Sequence, residues 1–179
     1  MKIPHIILAG FCLLTALGFG ATEKLETERG KFEIEVSNDW KVVKDLYGIP
    51  FTFLGPKNGP RRAVVLVTPT GTQDLEFNEQ ALSKNDRSYR EGRERWLKSR
   101  SGKALRFFPY QKETWAPNLE AHHLGFEYQL GDQKFSENSY YVVCDKKIFH
   151  LKSLVPTELG VSEQQTTENT IKSFRCTNS

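Results

Sequence analysis

From Gly30 the chain alternates polar and apolar positions. In KFEIEVS, Phe32, Ile34 and Val36 fall on one side and Lys31, Glu33 and Glu35 on the other. A period of two is that of a half-buried β-strand. NDW then turns the chain, and KVVKDLYGIPFTFLGP reads as two further strands broken at Gly48 and Pro50. In RRAVVLVTP, the run of Val64, Val65, Leu66 and Val67 is apolar on both faces, which predicts a central strand.

The period changes in DLEFNEQALSKNDRSYREGRERWLKSR. Leu75, Leu82, Tyr89 and Trp96 recur every seven residues, and Ala81 and Leu97 widen the stripe. An amphipathic helix is predicted, weakened at Gly92 by roughly 1 kcal/mol relative to alanine. After a loop from Ser99 to Lys103, ALRFFPYQKETW returns to strand composition, with Pro109 predicting a bulge or a sheet edge. The clearest hairpin follows: LEAHHLGFEYQL, a Gly131-Asp132 turn, then QKFSENSYYVVC. IFHLKSLV adds a strand before Pro156, and the tail can be helical from about Ser162, with Ile171 and Phe174 facing the body. The order predicts an α+β domain: an antiparallel sheet of about six to seven strands with a long middle helix and a C-terminal helix packed on it.

The first residues form a different pattern. Lys2 precedes an apolar run from Ile6 to Leu17 and then small residues, the build of a signal peptide. Residues 1–20 are expected to be removed, with the mature start between Phe19 and Thr22. Residues 21–29 read as an N-terminal extension and 30–179 as a single domain. Bulky Phe11 stands before Cys12 where a lipoprotein signal needs a small residue, so no acylated anchor is expected, nor a transmembrane segment after cleavage. These features predict a periplasmic or secreted protein, a compartment that disfavours nucleic acid as partner. Loss of Lys2 takes the formal net charge from +3 to +2, too near neutrality to name a partner. Cys144 and Cys176 then remain as an even pair in an oxidising compartment, without metal-ligand spacing, and a disulfide is expected. It would close a loop of about 30 residues and contribute about 3 to 4 kcal/mol in the chain-entropy model.

FEIEVSNDWKVV, AVVLV before a long helix, HHLGFEYQL with SYYVVCDKKIFHLKSLVP, and the closing TIKSFRC together resemble the PsbP-like domains, including bacterial envelope proteins of the DcrB type. The resemblance spans nearly all of the mature chain. It implies an α/β/α sandwich built on an antiparallel sheet, and an accessory or binding role without a shared catalytic set. The chain departs from DcrB-type proteins in lacking the lipoprotein cysteine.

Candidate chemistry is sparse. Strand alternation sets His122 with Leu124, Phe126 and Tyr128 on an apolar face, and His123 with Gly125, Glu127 and Gln129 on a face expected to be wet. Glu120, His122 and His150 form the trio to test as zinc ligands, although no metal or cofactor is expected. GxSxG, SxxK and phosphate-loop spacings are absent. Charge is the strongest feature: from Lys84 to Lys112 ten basic residues face three acidic ones, Asp86, Glu91 and Glu94. Arg87, Arg90 and Glu94 fall at helical spacing, so part of this field is spent on side-chain pairs. The remainder suits an anionic partner, an envelope protein or another envelope component, met by Arg87, Arg90, Arg93, Arg95, Lys98 and Arg100 or by a sheet edge. The expected function is thus non-catalytic binding. Alternatives are a small-ligand or metal carrier with a pocket near His122, and a hydrolase.

Overall fold

The computed structural model describes residues 20–27, 30–70, 79–144 and 147–177. The expected signal peptide lies outside the described residues apart from Gly20, as do Leu75 and the side chains of Ala81, Leu82 and Lys84.

The alternating opening segment forms β2 (Gly30–Val36), with Phe32, Ile34 and Val36 buried and Lys31 and Glu35 exposed. It stands apart from the main sheet, paired antiparallel with β1 (Ala21–Thr27) and with the short β10 (Arg175–Thr177). Most of the segment expected as an extension is therefore a strand, and its Leu25 is buried.

The larger sheet has seven antiparallel strands, in the order β3 (Lys41–Leu46), β4 (Ile49–Leu54), β5 (Val64–Thr70), β9 (Lys147–Pro156), β8 (Gln133–Cys144), β7 (Leu119–Leu130) and β6 (Lys103–Ala116). β5 is interior, as its two-sided apolar run requires. β6 is an edge, and its register against β7 shifts between Phe108 and Gln111, around Pro109, whose ring nitrogen has no hydrogen to give the ladder. Gly131 and Asp132 join β7 to β8 in the expected hairpin.

One face of this sheet carries α1 (Glu79–Lys98), whose Tyr89, Trp96 and Leu97 pack with Phe107, Phe126 and Tyr128. The other carries α2 (Gly160–Lys172) together with the three-stranded sheet. A sandwich with a helix on each side was expected; half of one outer layer is instead a second sheet. Phe32 of β2 anchors that layer, its ring centroid lying 5.4 Å from Phe51, 5.5 Å from Phe149 and 5.0 Å from Phe174. Fully burying each such ring is worth about 1.5–3 kcal/mol. The Cys144–Cys176 disulfide, with Cα atoms 5.6 Å apart, ties the end of β8 to β10 and so staples the two sheets.

Candidate functional site

Helix α1 divides its cations between two sides. Arg93 follows Tyr89 by four residues and precedes Trp96 by three, which puts it on the apolar stripe itself. Its guanidinium points at the sheet, where Nη2 lies 2.9 Å from Oε1 of Glu137, and it covers the rings of Tyr89 and Phe126 at 5.2 and 5.7 Å. Glu137, on β8, is only 3% exposed and takes a second cation, Lys152 of β9, at 3.0 Å. A carboxylate so deeply buried is tolerable only when its charge is met, and two cations meet it. Burial, assisted by Glu137, pushes the Tyr89 hydroxyl well above the ordinary tyrosine range.

Arg90, beside that stripe, is bound to Asp86 at 2.9 Å and lies 5.1 Å over Phe107. Its partner is thus Asp86, one turn earlier, whereas the spacing had offered Glu94. Arg90 and Arg93, both expected to meet a partner, are in this way occupied by the fold. The others face solvent. Arg87 pairs with Glu91 yet keeps 86% of its side chain exposed, and Arg95, 74% exposed, stands 3.9 Å from the same carboxylate. Lys98 and Arg100 are exposed at the C-terminal end of the helix, where Arg100 caps the Trp96 ring at 4.9 Å. Cations there also complement the helix dipole. Lys103, exposed at the start of β6, continues the basic surface, whereas Arg106 faces the other side of the sheet and is held there by Glu127 at 2.9 Å.

The histidines do not converge. Across the sheet His122 is opposite Tyr141, which is opposite His150, so a strand and an aromatic ring separate the two imidazoles. Two strand spacings place their backbones about 9.5 Å apart. His122 Nδ1 meets the Tyr110 hydroxyl at 2.8 Å, His150 stacks on Tyr141 at 4.6 Å, and Glu120 is bound to Lys112 at 2.8 Å. Among the described residues no three metal-ligating side chains gather into a site.

His123 departs from expectation. It is 8% exposed, because α2 covers the face that β7 was expected to leave wet. Its ring stacks on Tyr140 at 4.4 Å and Nε2 donates to Oδ1 of Asn138 at 2.9 Å. Burial lowers its pKa although the Asn138 bond works the other way. Burial also lowers that of His122, and His150 is lowered to about 4 by burial and then by Lys152 and Arg93. All three are neutral imidazoles at pH 7. Beside His123 the sheet and α2 leave a polar cleft that sequence reading missed, since its lining is distributed over β6, β7, β8, β9 and α2.

No protein-family model and no curated protein matches the sequence. Solved structures share the fold. The cyanobacterial PsbP protein CyanoP from Synechocystis sp. PCC 6803 superposes with a TM-score of 0.63 at 10% identity, covering 90% of this chain and 96% of its own. LpqN, described as involved in cell envelope biogenesis of Mycobacterium tuberculosis, gives 0.57 at 12% identity over 88% and 91%. PA94 from Pseudomonas aeruginosa, a protein of unknown function described as a putative regulator, gives 0.51 at 12% over 89% and 100%. The fold is PsbP-like; at these identities the likeness extends to the fold alone.

Proposed function

We propose that the chain is an extracytoplasmic accessory protein of the cell envelope, of the DcrB type, which binds an acidic envelope protein without catalysis. The observation that carries this reading is the division of α1. Arg90 and Arg93 are consumed by internal contacts, whereas Arg87, Arg95, Lys98 and Arg100 stand on the exposed side, where the fold gives them at most weak surface pairs. Arginine forks match carboxylates in two-point contacts, which suits an acidic protein surface. The apolar leader and the disulfide support the compartment, because such bonds persist where the surroundings are oxidising. The description of LpqN as a cell envelope biogenesis protein supports the setting.

A photoreactive residue in place of Lys98, activated in living cells, tests the reading. A cross-link to an envelope protein through an acidic surface is expected, with the yield collapsing when Arg95 and Arg100 become Glu. Equal yield from that variant, or no adduct from position 98, would overturn it.

A further inference from the structure

The cleft beneath α2 lies on the side of the sheet opposite α1. Its volume is about 220 Å³. That is below the ~300–1,000 Å³ of sites enclosing drug-sized ligands, and it limits an occupant to about one small ring.

Its charges are already matched. Arg106 at the rim is bound to Glu127 at 2.9 Å, and Glu168 on α2 is bound to Lys172 at 2.7 Å. The Thr167 hydroxyl is likewise spent, donating to the Glu163 carbonyl at 2.7 Å. What remains uncommitted is neutral. Ser136, Tyr140 and Ser153 are each more than nine-tenths buried, line the cleft, and have hydroxyls that hydrogen-bond to no described residue. With Oδ1 of Asn138 occupied by His123, the amide nitrogen of Asn138 is the part left for the cleft. Gln164 adds a second amide from α2. These hydroxyls and amides open onto the cleft and are not spent on bonds within the fold, so five such groups around one small cavity are a recognition surface for a ligand with many hydroxyls.

The walls fit the same chemistry. Phe108, Val155 and Ile171 give apolar patches between the polar groups, as the C–H faces of a sugar ring require. Gly125 permits the arrangement: a Cβ there would lie 2.7 Å from both Phe108 Cδ2 and Asn138 Oδ1 and 2.9 Å from the Glu137 carbonyl. We propose that the cleft between α2 and strands β6 to β9 binds a single neutral sugar ring, through Ser136, Asn138, Tyr140, Ser153 and Gln164. The site is independent of the basic face, and either can fail without the other.

The test is a titration of the oxidised mature protein, ¹⁵N-labelled, with glucose, galactose and N-acetylglucosamine up to about 50 mM, and with glutamate and inorganic phosphate as charged controls. Expected are saturable shifts of the Asn138, Ser153 and Gln164 amides with at least one sugar and with neither charged compound. Ser153→Ala should weaken that binding about tenfold or more with distant resonances unmoved. Should Ser153→Ala fail to fold, Gln164→Ala on the exposed helix is expected to weaken binding in the same way. Absence of saturable shifts with all three sugars, equal response to phosphate or glutamate, or full affinity in the folded variant would overturn the proposal.

Discussion

His150 shows how far a single environment displaces a side chain from its ordinary chemistry. Half-buried and stacked on Tyr141, with its buried Nε2 lacking a hydrogen-bond partner and Lys152 and Arg93 nearby, it has a pKa lowered to about 4. The unfolded chain protonates this residue near 6.5 and the native state does not, so native stability is complete above about pH 6.5 and is lost as the pH falls towards 4. The loss from this residue is on the order of 3 kcal/mol. His122 and His123 shift in the same direction. Urea midpoints measured between pH 7 and 4.5 should fall, and His150→Phe, which keeps the stacked ring, should flatten the fall. An unchanged pH slope in that variant would show that His150 does not supply it. The adjacent histidines were legible in the sequence as lying on opposite faces. That both faces are buried was not, because alternation assigns a residue to a side and cannot say what covers that side.

At the scale of the element, α1 is readable from its seven-residue recurrence, and the Tyr89, Arg93, Trp96 spacing already places Arg93 on the inner stripe. The partner that makes an inward arginine tolerable, Glu137, belongs to a strand distant in sequence, and no local pattern marks it as buried. Removing one member of a buried ion pair costs about 3–5 kcal/mol when the remaining charge is stranded. Here Lys152 still serves Glu137, so Arg93→Ala is expected to cost about 2–3 kcal/mol in urea unfolding. Neutralising Arg95 and Arg100 to Gln together should change it by less than about 1 kcal/mol, since exposed pairs contribute little. Equal losses from the two variants would mean that the helix is not divided as described.

For the whole molecule, the PsbP-like layering follows from strand order, the hairpin and the terminal helix, all visible as periodicity. The separate three-stranded sheet was hidden, because β2 finds β10 only after nearly the whole chain has been laid down, and alternation in KFEIEVS is indifferent to which neighbour it pairs with. The same long-range closure, fixed by Cys144–Cys176, brings α2 over the sheet and creates the cleft. It leaves two unlike faces: a small polar cavity on one side and a basic surface on the other. The functional claim rests on the second. Its most direct test is co-sedimentation of the oxidised protein with envelope membranes across a salt series, beside a variant carrying Glu at positions 87, 95, 98 and 100. The wild type should sediment at low salt and be released as screening shortens to about 8 Å near 0.15 M and beyond, while the folded variant should remain in solution throughout. Salt-insensitive sedimentation, equal for both proteins, would contradict the account.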